Sequence, residues 1–370
     1  MAYERESVAT APLPSAAEPG PDQVSGARRS LSRIEHYELM RRNLAAARDY
    51  LTSTFDTLAD GWSVNSAEQI GRYVLGQQGK MMRASITVAS CAAVGGDPAM
   101  LTPVVGGIEY GHLASLMHDD LIDGDMTRRQ LPTVWNSFGA SDAIIAGDLL
   151  IFAAFYALAN CRPQVSAERV AWALKAVSRA GIDACFGTSL EMQLTGQIET
   201  SLDTYLKMAS GKAGAVFRGG SEGGAILGGG SADEVDALKK YGDDLGIAFQ
   251  IVDDLLPFES DEKTMGKPVY SDLRNRRPTL PVLLGAQRAS GADLAFLHSV
   301  FADEPADRPP VEEAFTRTRD LLERTGAFDE AHRLAGAYCT SALHRLDRFG
   351  DNEGVQILTD LVQIGRDRVA

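Results

Sequence analysis

A chain of 370 residues with 45% hydrophobic content holds enough apolar material for one large core or two ordinary ones, and it needs no cross-links to fold. Its net charge of −14 and pI near 4.9 argue against a nucleic-acid partner, whose phosphates require a basic face, although local gatherings of basic residues can still serve small anionic substrates. Cys91, Cys161, Cys185 and Cys339 lie far apart with no C-x-x-C pair, so neither a zinc site nor a disulfide framework is indicated and a reducing cytoplasm fits best.

Residues 1–30, rich in Ala, Pro, Ser, Glu and Gly without apolar periodicity, read as a disordered leader. Residues 31–370 read as one all-α domain. From Ile34 onward apolar residues recur three and four apart, as in 141–159 and 232–256, and long alternating strands are missing. Breaks fall where turn chemistry collects: Gly95 to Pro98, Thr127 to Gly139, Gly228 to Gly230, and Pro257 to Pro278. The pattern predicts about ten to thirteen helices. Segments 100–123 and 232–256 carry few polar residues before their C-terminal ends, which suits helices buried within a bundle. No apolar run is expected to reach the roughly 18 to 20 residues of a membrane span, and no signal peptide is evident, so stable membrane insertion is not expected.

The stretch HDDLIDGD places Asp119, Asp120 and Asp123 at positions i, i+1 and i+4, which puts Asp119 and Asp123 one turn apart on one helix face. Two such carboxylates repel unless a cation lies between them. Hard oxygen ligands suit magnesium, which keeps waters and draws further ligands from substrate phosphates. The bland alternative is a solvated acidic last turn, but carboxylates oppose the negative end of a helix dipole. A second apolar helix ends in FQIVDDLL with Asp253 and Asp254. Its i+4 position is Pro257 rather than an acid, so this helix is expected to kink or stop just past the acids, with two carboxylates where the first motif has three.

Basic residues follow each acidic pair. Arg128 and Arg129 come after the first; Lys263, Lys267, Arg274, Arg276 and Arg277 come after the second; GKMMR contributes Lys80 and Arg83, and SGK contributes Lys212. Arginine forks grip phosphate oxygens and lysine acts as a point charge, so the pattern reads as a site for two diphosphates, one held through magnesium and one by bases.

With GKMMR, HDDLIDGDMTRRQLPT, AGD at 146–148, FQIVDDLL and GKPVYSDLRNRRPTLP in that order, the chain resembles the trans-isoprenyl diphosphate synthase (polyprenyl synthetase) family, most of all its geranylgeranyl-forming members, from about residue 40 to residue 360. The resemblance implies a large all-α bundle around a deep apolar cavity, the isoprenoid synthase fold, assembled as a homodimer. It implies that Asp119, Asp123 and Asp253 are ligands of magnesium, three ions in all, with Asp120 and Asp254 supporting them. Arg128, Lys212, Gln250 and Lys267 correspond to residues that hold an allylic diphosphate; Lys80, Arg83, His112 and Arg129 correspond to those that hold isopentenyl diphosphate. His112 also reads as a buried histidine bonded to a helix carbonyl, and His118 as packing. Pro257, Ala84, Gln130, Thr188 and Ala213 depart from the usual Asp, Pro, Gly, Gln and Thr.

The implied reaction ionises an allylic diphosphate and joins the cation to isopentenyl diphosphate. Small residues one and two turns before Asp119, namely Ala114, Ser115 and Gly111, read as a floor open enough for a product of C20 or longer. Two alternatives stay open. A class I terpene cyclase has no use for the second basic set, and a regulatory subunit of a heteromeric synthase is favoured only by Pro257.

Overall fold

The computed structural model describes residues 33–62, 66–76, 79, 81–161, 165–260, 269–304 and 308–366, with side chains from residue 42. The leader, Lys80, Lys263 and Lys267 lie outside the described residues. In chain order the α-helices are α1 (Arg33–Ala59), α2 (Ser66–Leu75), α3 (Met82–Ala93), α4 (Thr102–Asp123), α5 (Val134–Phe138), α6 (Ala140–Ala159), α7 (Ala167–Gln193) and α8 (Leu202–Ala209). They continue with α9 (Ala215–Leu227), α10 (Ala232–Glu259), α11 (Ser271–Arg274), α12 (Leu280–Arg288), α13 (Gly291–Val300), α14 (Val311–Arg324), α15 (Ala327–Arg345) and α16 (Glu353–Arg366). Two-residue strands β1 (Thr127–Arg128) and β2 (Leu131–Pro132) pair antiparallel. The fold is all-α as expected. The helices outnumber the expectation partly because the stretches read as breaks, 127–139 and 257–278, each hold a helix of about one turn.

Helices begin and end where the sequence supplies the chemistry. The hydroxyls of Ser166, Ser201 and Ser231 accept hydrogen bonds from the N–H groups of Arg169, Thr204 and Glu234, and Glu234 returns a bond to Ser231 in a capping box. Gly124, left-handed at φ 67°, stops α4 directly after Asp123, so the first acidic motif occupies the last turn of its helix. Helix α10 continues through the buried Pro257 and ends at Glu259. Phe258, stacked on Phe315 at 5.3 Å, gives this last turn a packing reason to persist despite the proline.

Four apolar clusters fill the bundle. One joins α10 to α12 through α15, a second joins α3, α9, α10, α15 and α16, a third joins α3, α4, α7 and α9, and a fourth joins α1, α2, α4 and α6. Contrary to the sequence reading, the 20-residue α6 does reach the length and apolarity of a membrane span, with mean hydropathy 1.8. About half of it is buried, and it packs along α4 and against α2 and α5 as a bundle helix does.

Helices α8 and α9 form one rod interrupted by a π-helical turn, Ser210–Gly214, that carries Lys212. Glycine makes room for this turn on both sides. A Cβ on Gly187 of α7 would stand 2.2 Å from the Lys212 backbone nitrogen, and one on Gly246 of α10 would stand 2.5 Å from the Gly214 Cα. Three helices thus meet backbone to backbone around Lys212, and the π turn aims its side chain at the site.

Candidate active site

The last turn of α4 is sorted by burial. Asp120, 4% exposed, turns inward and accepts a hydrogen bond from Arg128 Nε at 2.6 Å. Burial pushes its carboxyl up to about 6, with Arg128 pulling the other way. Asp123 pairs with Arg277, which also pairs with Glu191 near the end of α7. Lys212 donates to the same Glu191 oxygen at 2.6 Å. Burial opposes the charge on both partners. Lys212 and Arg277 nevertheless hold the Glu191 carboxyl below its ordinary value, while Glu191 and then Asp119 lift the Lys212 ammonium above its own. A four-membered charge cluster of Asp123, Arg277, Glu191 and Lys212 therefore ties the C-terminal end of α4 to α7 and the π turn.

The end of α10 faces the same cleft, which is lined by Asp123, Glu191, Lys212, Gln250, Asp253 and Arg277 among others. Asp253 is exposed, whereas Asp254 is buried. One Asp254 oxygen accepts from the Tyr205 hydroxyl at 2.8 Å and from the Leu280 N–H at 2.9 Å, and the other accepts from Gln250 Nε2 at 2.8 Å. Burial pushes this carboxyl up to about 7. Asp254 thereby fixes α8, the start of α12 and the side chain of Gln250, and leaves Asp253 to face the cleft.

A second basic group is gathered beside α4. Arg83 Nη1 lies 3.2 Å from His112 Nε2. Arginine has only donors, so Nε2 accepts and the proton of the neutral ring sits on Nδ1. Burial, then Arg83 and Arg129, keep His112 well below its ordinary range and hence neutral. Its partner is an arginine rather than the helix carbonyl of the bland alternative. Arg83 also lies over the Phe217 ring at 5.2 Å. Arg129 and Gln130 are the two central residues of the β1–β2 turn, both left-handed at φ 53° and 65°. The glycine usual at position 130 would relieve one of these strains. A Cβ on Gly79 would come within 2.2 Å of the Arg129 guanidinium, so that glycine leaves room for the arginine.

His118 packs on Gly147, where a Cβ would strike its ring at 2.1 Å, which accounts for the glycine of AGD. The three candidate floor residues differ in surroundings. Ser115 is exposed one turn before Asp119, and a Cβ on Gly111 would meet nothing nearer than Ala154 Cβ at 4.0 Å. Ala114, fully buried, belongs to the apolar cluster that holds Leu51, Tyr110, Leu150 and Ala153.

The side chains that could offer oxygens to a metal are carboxylates: Asp119 and Asp123, one turn apart on α4, and Asp253 at the end of α10. Among the described residues no three acidic, histidine or cysteine side chains stand close enough to hold an ion alone. That fits magnesium, which takes one or two carboxylates and completes its shell with water and phosphate oxygens, better than an ion needing an all-protein cage.

The sequence motifs assign no role to Glu191 or Glu109, and offer Arg277 only as nearby positive charge. Glu109, 3% exposed, accepts from the Ala84 N–H at 3.3 Å, and burial raises its carboxyl while Arg83 draws it down. Both glutamates carried a usable signal. Each is the sole Asp, Glu, Lys or Arg in a long run, 98–118 for Glu109 and 184–198 for Glu191.

A family model for polyprenyl synthetase matches residues 64–318. A short chain isoprenyl diphosphate synthase from Methanothermobacter thermautotrophicus is 36% identical over 280 residues, 76% of this chain and 83% of that protein. A (2E,6E)-farnesyl diphosphate synthase from Mycobacterium tuberculosis is 33% identical over 322 residues, 83% of this chain and 87% of that protein. Among solved structures, the geranylgeranyl pyrophosphate synthase from Corynebacterium glutamicum complexed with isoprenyl diphosphate and magnesium aligns with a TM-score of 0.80 at 26% identity, covering 88% of this chain and 99% of that one. With two acidic helix ends facing one cleft and a separate basic group beside them, this chain belongs to the polyprenyl synthetase family of prenyl diphosphate synthases.

Proposed function

We propose that the protein is a magnesium-dependent trans-prenyltransferase that condenses isopentenyl diphosphate with an allylic diphosphate to give a product of C20 or longer, geranylgeranyl diphosphate above all. The observation that carries the reading is the pairing of two unlike anion sites. Acids and bases are interleaved around Asp119, Asp123, Asp253, Lys212 and Arg277, while Arg83, His112 and Arg129 gather apart from them. A terpene cyclase has no use for the second group.

Asp119, Asp123 and Asp253 would hold three magnesium ions, which when bound would supply Lewis-acid stabilisation of the diphosphate leaving group. Arg128, Lys212 and Lys267 add positive charge on the same diphosphate, and Gln250, held by Asp254, orients it. Lys80, Arg83, neutral His112 and Arg129 hold the isopentenyl diphosphate. The allylic carbon–oxygen bond breaks, the isopentenyl double bond attacks the cation, and the departing diphosphate takes up the proton that is lost.

Open space at Gly111 and Ser115 supports a chain longer than C15, since one helical turn of about 5.4 Å matches roughly one isoprene unit. A second copy of the chain is the expected partner. Large exposed apolar side chains gather on α6 and α7, including Ile145, Phe152, Tyr156, Trp172, Ile182 and Phe186. All four cysteines are free, in keeping with a reducing cytoplasm.

The test is incubation of purified protein with magnesium, isopentenyl diphosphate and each of the C5, C10 and C15 allylic diphosphates, followed by measurement of product length. Elongation to C20 or beyond is expected. A product that stops at C15 overturns the length assignment, and consumption of allylic diphosphate alone, without isopentenyl dependence, overturns the reaction. Activity seen only after Pro257→Asp or only with a partner synthase would favour the regulatory subunit.

A further inference from the structure

The segment after the second acidic motif, residues 271–277, is sewn onto the residues just after the first. Ser271 donates its hydroxyl to Asp125 Oδ1 at 2.7 Å, and Arg274 Nη2 reaches the same oxygen at 3.2 Å. Asn275 Nδ2 donates to the Asp123 carbonyl at 3.0 Å, and Arg277 pairs with the Asp123 carboxylate. Asp125 stands at the centre of these contacts; Oδ1 takes both side-chain donors, Oδ2 is buried without a partner among the described residues, and the backbone of the residue is held on both sides. Its N–H donates to the Asp120 carbonyl at 3.0 Å, and its own carbonyl accepts from Trp135 Nε1 and the Thr133 hydroxyl, both at 2.8 Å. Its side chain is 1% exposed, while that of Arg274 is half exposed at the rim.

A carboxylate so enclosed is tolerated only with strong partners, and both lie 146 or more residues further along the chain. The clasp joins two pieces that carry phosphate-directed charge. On one side Asp125 is two residues beyond Asp123 and three before Arg128. On the other, Ser271 and Arg274 precede Arg277 in a turn whose Arg276 is left-handed at φ 52° and whose Arg276 carbonyl accepts from the Gly196 N–H at 2.8 Å. Asn275, Arg276 and Arg277 hold the second half of that turn, and Asp125 anchors its first half through Ser271 and Arg274.

We propose that Asp125 is a positioning residue for the allylic diphosphate site, clasping residues 271–277 to the end of α4 so that Arg277 and Arg128 face the cleft together. The proposal rests on the prenyltransferase reading. Of the isopentenyl set, Arg83 and His112 lie on α3 and in the body of α4, outside the clasp, and only Arg129 adjoins the clasped segment, so most of that site has a separate support.

The experiment measures Michaelis constants for both substrates in the wild type, Asp125→Ala, Asp125→Asn, Ser271→Ala and the double variant Asp125→Ala with Ser271→Ala, with thermal midpoints alongside. In Asp125→Ala the constant for the allylic substrate rises about tenfold or more, and that for isopentenyl diphosphate changes by less than about threefold. Asp125→Asn keeps an oxygen for Ser271 and recovers most of the loss. Because Asp125 and Ser271 act through one contact, the double variant is no worse than Asp125→Ala alone. Should Asp125→Ala not fold, Ser271→Ala and Arg274→Ala carry the same comparison, since both remove only one donor. Both constants moving together, an unchanged allylic constant in folded variants, or multiplying effects in the double variant would overturn the clasp. A wild-type protein that condenses nothing would instead overturn the prenyltransferase reading.

Discussion

Asp254→Ala is expected to destabilise the fold far more than Asp254→Asn, although both remove the same charge. Truncation leaves the fully buried Tyr205 hydroxyl and the Leu280 N–H without the oxygen they share. A buried donor left unpaired costs about 1–3 kcal/mol. Two of them, less the relief of a carboxylate that burial already drives up to about 7, give an expected net loss of roughly 3 kcal/mol. Asparagine retains an acceptor where both bonds land. Its amide nitrogen then faces Gln250, which turns its own amide over to present oxygen, and the expected loss is about 1 kcal/mol or less. Urea unfolding with chelator present and protomer concentration matched reads the difference as the shift in midpoint multiplied by the slope. Because Gln250 reverses in the asparagine variant, its Michaelis constant for the allylic substrate should rise even while it stays folded. Equal losses in both variants would show that charge, not bond geometry, governs this position. No loss in Asp254→Ala would refute the hub altogether.

Asp119→Ala and Asp123→Ala should each lower turnover by orders of magnitude at saturating magnesium; comparable turnover in either would dismiss the metal assignment. Arg129→Ala should raise the Michaelis constant for isopentenyl diphosphate more than that for the allylic substrate, and Gly79→Ala should do the same in milder form because its Cβ displaces the guanidinium. An unchanged isopentenyl constant in both would place Arg129 outside the second site. His112 is held neutral in the folded protein, below its ordinary value of 6.5, so the unfolded chain binds an extra proton as pH falls through that value. Stability associated with it is present above about pH 6.5 and is lost below at up to about 1.4 kcal/mol per pH unit, and His112→Gln should remove that part of the acid slope; identical slopes from pH 7 to pH 5 would contradict the buried neutral ring.

Much of the architecture was legible in the sequence because its determinants are local. The two acidic helix ends, the glycine that stops α4 and the break at Gly228 to Gly230 all act within about one turn, and a linear pattern records interactions at that range. Pro257 is expected from the sequence to kink or stop α10 just past the acids, and the structure differs there. The helix persists through it to Glu259 because Phe258 has aromatic partners on α14 and α15. The surroundings of Ala114 were also hidden. Ala114 and Ser115 are neighbours in sequence, yet 100° of helical rotation separates an enclosed position from an open one.

What the sequence withheld is the pairing of distant charges. Asp123 with Arg277 and Asp125 with Ser271 join positions about 150 residues apart, and no periodicity within either segment encodes the other. The π turn is similar: Gly187, Gly211, Gly214 and Gly246 are visible as letters, but only packing reveals that they let three backbones meet around Lys212. The lone glutamates show where such information is partly recoverable. A carboxylate inside an apolar helix is too costly to persist without cations, so Glu109 and Glu191 each imply basic partners brought from elsewhere. For Glu191 those partners are Lys212 and Arg277, and for Glu109 the nearby charges are Arg83 and Arg129. Both glutamates therefore mark, from sequence alone, two places where the fold gathers positive charge, and the proposed reaction needs it at both.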